Sequence, residues 1–186
     1  MSCSFIRSLV FAVCVALLPS TLFAPMVLAA SATEIEIEVG AALEEFVATV
    51  RAGKNYLKHA KGVLVLPNVI KAGFGIGGEY GEGALRIGGK SVAYYSTASA
   101  SIGFQLGAQS KTIILVFMQD AALKKFRASS GWEAGVDGSV ALVKVGAGES
   151  IDTNTAKEPI VGFVLVNKGL MYNLTIEGSK FTKLDK

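Results

Sequence analysis

The stretch Val63-Leu64-Val65-Leu66-Pro67-Asn68-Val69-Ile70-Lys71-Ala72-Gly73-Phe74-Gly75-Ile76-Gly77-Gly78-Glu79-Tyr80-Gly81-Glu82-Gly83 decides the fold. Glycines and small residues alternate in it with single bulky apolar ones, and few side chains can move a proton. Tyr94-Tyr95-Ser96-Thr97-Ala98-Ser99-Ala100-Ser101-Ile102-Gly103-Phe104-Gln105-Leu106-Gly107 continues the pattern, and Thr112 to Met118 is an apolar run. A period of two is the pattern of strands. Strands are expected near 62–66, 69–79, 83–88, 91–97, 100–108 and 111–118, with Gly88-Gly89 as a hairpin turn. Glycine inside a strand marks a bulge, sharp coiling or close backbone approach. So many of them predict a strongly curved antiparallel sheet or a small β-barrel.

Upstream the period changes. Ile35, Val39, Leu43, Phe46, Val47 and Val50 line one face of a helix expected from Thr33 to about Lys61, with Gly53 as a place where it ends or breaks. Thr33 and Glu36 fit a capping box. Glu34, Glu36 and Glu38 near the start and Lys54, Lys58 and Lys61 near the end suit the helix dipole. Downstream, Asp120 to Ala128 is a second, short helix with Ala121, Ala122, Leu123 and Phe126 turned inward. Strands resume near 132–145, 160–166 and 170–177, with a polar loop at 149–158 and a frayed end from Thr182 to Lys186. The fold class is therefore α+β, a curved sheet covered by an N-terminal amphipathic helix.

Residues 1–30 read as a cleaved secretory signal, with Arg7 ahead of an apolar core from Leu9 to Leu18 and small residues at Ala29, Ala30 and Ala32. Residues 31–186 then form a single domain. Both cysteines, Cys3 and Cys14, fall inside the signal, so the exported chain has no thiol, disulfide or cysteine metal site. Export without disulfides points to a bacterial envelope, most simply the periplasm. Removing the signal removes one cation and no acid, which lowers the net charge from +3 to +2. That balance does not argue for nucleic acid.

The chain is poor in catalytic equipment. Gly73-Phe74-Gly75-Ile76-Gly77-Gly78 fits GxGxxG by letter, but a dinucleotide site needs a helix after it, and strand grammar continues instead. His59 is the single histidine and belongs to a helix end. The serines of 96–101 sit on alternating strand positions, with no nucleophile elbow. Glu79 and Glu82 are neighbours only in sequence. Asn173-Leu174-Thr175 is a glycosylation sequon by letter alone. No enzyme, cofactor or metal site is expected. Lys54, Lys58 and Lys61 share one helix face, and Lys71 follows in the glycine-rich strand. Such a cationic flank either lies on anionic lipid or is simply a solvated helix end.

The succession Ala60-Lys61-Gly62-Val63-Leu64-Val65-Leu66-Pro67-Asn68-Val69-Ile70-Lys71-Ala72-Gly73-Phe74-Gly75-Ile76-Gly77-Gly78 through Gly83 closely resembles the hallmark of the SYLF-domain family. These are lipid-binding modules of yeast actin-patch proteins, of animal SH3-linked and plant FYVE-linked relatives, and of secreted bacterial proteins. The likeness continues through 101–118, Ala122-Leu123 with Phe126, Gly135-Val136-Asp137-Gly138-Ser139-Val140, Lys168-Gly169-Leu170 and Leu174-Thr175-Ile176-Glu177-Gly178.

The resemblance implies lipid binding, often of phosphoinositides, and actin binding in some yeast members, with no catalysis. Its lipid-contacting segment is an N-terminal basic helix, which carries the expectation onto Lys54, Lys58, Lys61 and Lys71. Two departures bear on the ligand. Tyr94-Tyr95-Ser96-Thr97 stands where many relatives carry a Trp-Ser-x-Pro step, and the helix is acidic at its start through Glu34, Glu36, Glu38, Glu44 and Glu45. A periplasmic protein meets neither actin nor much phosphoinositide, so the expected partner is an anionic bacterial phospholipid bound peripherally. The competing expectation is an envelope scaffold whose partner is a protein.

Overall fold

The computed structural model describes residues 30–144, 157–168 and 176–186. The expected secretory signal lies outside them except for Ala30, as do residues 149–156 of the polar loop expected at 149–158, most of the strand expected at 170–177, the sequon and both cysteines. Three helices, α1 (Ala32–Thr49), α2 (Gly53–His59) and α3 (Asp120–Ala128), accompany β1 (Gly62–Ile87), β2 (Lys90–Phe117), β3 (Trp132–Glu133), β4 (Ala141–Lys144), β5 (Ile160–Lys168) and β6 (Lys180–Leu184). The fold is α+β, as the sequence suggests, with a strongly curved sheet and an N-terminal helix over it.

The six strands expected from 62 to 118 are two long ones. β1 and β2 form one antiparallel hairpin, from Gly62 opposite Phe117 to Ile87 opposite Lys90. The turn is Gly88-Gly89, with φ of 58° and 79°, the left-handed values that a tight two-residue hairpin requires. The register shifts between Leu66 and Val69, Phe74 and Ile76, and Leu85 and Arg86; the first falls in the expected gap between 66 and 69, and the other two fall inside strands expected to be unbroken. Pro67, which has no N–H to donate, sits in the first shift. At the second, β2 spends three residues where β1 spends one, so its path is longer and the hairpin bends.

The bend folds β1 back across itself. A Cβ on Gly81 would lie 2.8 Å from Cα of Val69, and one on Gly83 only 1.9 Å from the carbonyl oxygen of Val65. The later half of the strand thus crosses the earlier half backbone to backbone. No side chain fits there, which explains two of the glycines in the opening stretch.

The other edge of β2 pairs antiparallel with β5 through residues 110–117 and with β6 through residues 94–98. β4 adds to β5 in parallel, so the sheet is mixed where a purely antiparallel one was expected. The tail from Thr182 is not frayed. β6 runs to Leu184, with Phe181 buried between Thr97 and Trp132 in the strand order.

Apolar side chains alternate between two cores. Leu64, Leu66, Ile113, Leu115 and Phe117 face the interior of the curve, with Tyr95, Phe126, Trp132 and Phe181. Val63, Val65, Ile114 and Val116 face outward beneath α1, with Phe163 from β5. Burial on both faces is why Val63 to Leu66 and Ile113 to Phe117 read as unbroken apolar runs.

α1 covers the outer face with Ile35, Val39, Ala42 and Phe46, followed by Val50. Burying those four large side chains contributes on the order of 8 kcal/mol before entropy. The capping box is Ser31 with Glu34, two residues before the expected one: Glu34 Oε2 accepts from the Ser31 N–H at 2.8 Å, and Ser31 Oγ from the Glu34 N–H at 3.2 Å. Thr33 and Glu36 have the same spacing, but Glu36 instead accepts from the Tyr94 hydroxyl at 3.1 Å, which docks the helix on β2. The helix does not run through to Lys61. Val50 turns extended, and Gly53 starts α2 so close to Phe46 that a Cβ would stand 3.1 Å from its carbonyl oxygen.

Candidate functional site: the basic edge and the cleft beside it

α2 is seven residues long and has no side-chain cap at its start. What holds it is Tyr56, 3 % exposed, whose ring meets Phe163 edge-on at 5.1 Å between centroids. Phe46 meets the same ring at 4.8 Å, so both helices are anchored on one β5 side chain. Burial raises the Tyr56 phenol above its ordinary pKa. With Tyr56 inward, Lys54 and Lys58 face solvent, and Lys61 is exposed where the chain enters β1. The backbone there is fixed, since the Lys61 N–H donates to the Phe117 carbonyl at 2.8 Å. Among the described residues, none of these three lysines meets a carboxylate. His59 closes the helix, with Nδ1 2.9 Å from the Asn55 carbonyl, and this is the helix-end position expected of it.

Lys71 does not join the group. It lies half-buried nine residues into β1, opposite Gln109. At about 3.3 Å per residue the strand has run roughly 30 Å by then.

Beside the basic edge is a cleft of about 360 Å³. Leu43, Leu57, Ala60 and Val63 supply its apolar wall; Lys58 and Arg86 stand at its polar side. Its mouth is the Gly88-Gly89 turn, where a Cβ would meet nothing within 4 Å. The bend in β1 makes the cleft, because it brings residues 86–89 back beside residues 62–63. Arg86 donates from one Nη to the Gly89 carbonyl at 2.6 Å, while its buried Nε has no partner among the described residues. Sequence reasoning missed Arg86. Its signal was a cation two residues before a hairpin turn, and only the bend gives that meaning.

Two other charged groups are structural. Lys111 and Glu79, each almost fully buried, pair at 2.8 Å inside the curve. Glu82 takes 2.6 Å and 2.7 Å hydrogen bonds from Lys186 and the Tyr80 hydroxyl, and Lys186 also donates to the Ala30 carbonyl. The two acids that neighbour each other in sequence therefore serve separate pairs. Gly73 to Gly78 lies within β1, which continues as strand to Ile87, so no helix follows to hold a pyrophosphate. Among the described residues no group of three metal-ligating side chains lies together, and no helix is long and apolar enough to cross a membrane.

A family model described as Ysc84, Las17-binding protein actin regulator, matches residues 98–186. Over these residues, just under half of the chain, the sequence is similar to the SYLF family. The SYLF match begins within β2 and takes in α3 and the later strands, whereas the glycine-rich hallmark at 60–83 precedes it. Sequence hallmark and family match thus meet on the two strands of one hairpin. None of the curated proteins matches the chain.

Proposed function

We propose that this is a non-enzymatic lipid-binding protein of the bacterial envelope, exported by residues 1–30 and adsorbed peripherally to anionic phospholipid head groups. Lys54, Lys58 and Lys61 make the contact. The observation that carries this reading is the division of labour in α2, where Tyr56 is sunk against Phe163 and the lysines on either side of it are free for a charged surface. Three cations at about 1 kcal/mol each supply roughly 3 kcal/mol, or about a hundredfold in partitioning. α1 is committed to the outer core through Ile35, Val39, Phe46 and Val50, so the protein adsorbs without inserting that face.

Flotation of the purified protein with vesicles of neutral lipid, phosphatidylglycerol and cardiolipin tests this. Binding is expected on the anionic vesicles only and is lost at high salt, where charges are screened within a few ångströms. The triple variant Lys54→Glu, Lys58→Glu, Lys61→Glu should stay folded and stop floating. A folded triple variant that floats as the parent does sinks the reading.

A second reading is supported by the family model's description as a Las17-binding actin regulator, which names a protein partner. Here the chain is an envelope scaffold with no lipid ligand, and actin is a partner only by family analogy. A specific envelope protein that co-purifies while all vesicles are ignored favours it.

A further inference from the structure

We propose that the cleft between α2 and the Gly88-Gly89 turn binds one molecule of a single-chain anionic amphiphile, its head group between Lys58 and Arg86 and its chain along Leu43, Leu57, Ala60 and Val63. This rests on the lipid-binding reading and deepens it, because it gives the protein a stoichiometric site for a lipid monomer in addition to an edge that adsorbs to a surface.

Charge selects the occupant. Among the described residues, those lining the cleft include two cations and no carboxylate. The guanidinium is half committed: one Nη is fixed on Gly89, while the buried Nε N–H meets no acceptor among the described residues. A buried charged donor left unpaired is costly, and an anionic oxygen arriving at the cleft would satisfy it with a charge-assisted bond. Fixing one Nη on the turn also holds the guanidinium plane in place before any ligand arrives. A bare anion would leave the apolar wall wet, and a neutral amphiphile would leave the Arg86 Nε without a charged partner. Only an anion joined to an apolar chain uses both sides. The glycines at the mouth leave the entrance open.

The basic edge and the cleft share Lys58 but are otherwise separable. Arg86 belongs to the cleft alone, and Lys54 and Lys61 to the edge alone. The test is calorimetric titration of the full exported chain with dodecyl phosphate below its micelle concentration, beside inorganic phosphate and dodecyl maltoside. One dodecyl phosphate per chain is expected, with at most feeble heats from the other two probes. Arg86→Gln should weaken it about tenfold or more, through loss of a charged hydrogen bond. Ala60→Leu, which fills the apolar wall, should weaken it with every charge in place.

Equal binding of dodecyl maltoside or inorganic phosphate would overturn the proposal without recourse to any variant. So would no binding of dodecyl phosphate, or undiminished binding in folded Arg86→Gln. Vesicle flotation of the parent chain then separates the two ideas. A chain that floats on anionic vesicles but takes up no dodecyl phosphate loses the cleft and keeps the surface edge, whereas one that does neither loses both.

Discussion

The two faces of the curved sheet are sealed in different ways. On the outer face, helices lie over the strands, and side chains such as Phe46, Tyr56 and Phe163 fill the space between layers. On the inner face the sheet seals itself: β1 crosses its own earlier half at Gly81 and Gly83, and an aromatic group around Phe126 plugs what remains, with Trp132 at 5.5 Å and Phe117 and Tyr95 at 4.9 Å. A helix layer can shift by a few tenths of an ångström, but a backbone lying on a backbone cannot. The inner face should therefore tolerate almost no added volume, and the outer face some.

The same substitution in the two regions gives the largest contrast. Gly83→Ala places a methyl on the Val65 carbonyl and should cost more than about 4 kcal/mol, enough to leave little folded protein. Gly40→Ala, in α1 with nothing within 4 Å, should instead stabilise by about 0.5–1 kcal/mol through better helix propensity. Urea midpoints of the two variants check the pair. A Gly83→Ala protein as stable as its parent would mean that β1 does not cross itself.

Phe46→Ala comes next, at about 3–5 kcal/mol, because it empties the contact between α1 and Phe163. It also asks whether the two cores are one unit. Trp132 is the single tryptophan and lies in the inner core, so its fluorescence reports that face while helical circular dichroism reports mostly the other. Alternate residues of the same strands serve both cores, so the two signals should fall together in one transition. Separate transitions would break the comparison into two independent layers.

The buried pair sharpens it further. Lys111→Met leaves Glu79 as an unpaired charge inside the curve and should cost about 3 kcal/mol, whereas Lys111→Met with Glu79→Leu should recover most of the loss. A double variant no better than the single one would show that the pair holds the bend by its geometry.

Legibility follows the same division. Period and punctuation act locally, so α3, the Gly88-Gly89 turn and the apolar face of α1 could be read from the sequence. So could the register break at Pro67, which falls between two expected strands, whereas those at Phe74 and Leu85 fall inside them. What could not be read depends on contacts distant in the chain. A hairpin of 26- and 28-residue strands looks like six short ones until the bend is known. The capping box slipped by two because Ser31 and Thr33 present the same spacing, and Tyr94, far along the chain, takes Glu36 out of the choice. Lys54, Lys58 and Lys61 are grouped by local spacing, and each is exposed in the structure. Lys71 was added by proximity in sequence, which a strand carries quickly away. Arg86 was invisible because it reaches the helices only through the bend.

The smallest effect concerns the clamp that joins the two chain ends of the described fold. Burial pushes the Glu82 carboxyl up, but hydrogen bonds from Lys186 and Tyr80 and the Lys186 charge outweigh it, so its pKa lies below the ordinary value of 4.5. A depressed carboxylate stabilises the fold above its unfolded pKa and loses that contribution as pH falls through the folded one. Partial burial, the hydrogen bond to Glu82 and the Glu82 charge push Tyr80 in the other direction, up to about 12 from 10. Its contribution is complete below pH 10 and disappears as pH rises toward 12. One hydrogen bond thus shapes both the acid and the alkaline limb of the stability profile. Glu82→Gln should remove the clamp's share of the acid limb and lower the phenolate titration of Tyr80, followed by ultraviolet absorbance against a Tyr80→Phe control. The titration should not return fully to 10, because burial, the largest cause of the shift, remains. If it did return fully, Glu82 alone would set the Tyr80 proton, and the clamp would be an electrostatic contact with no share in sealing the outer face.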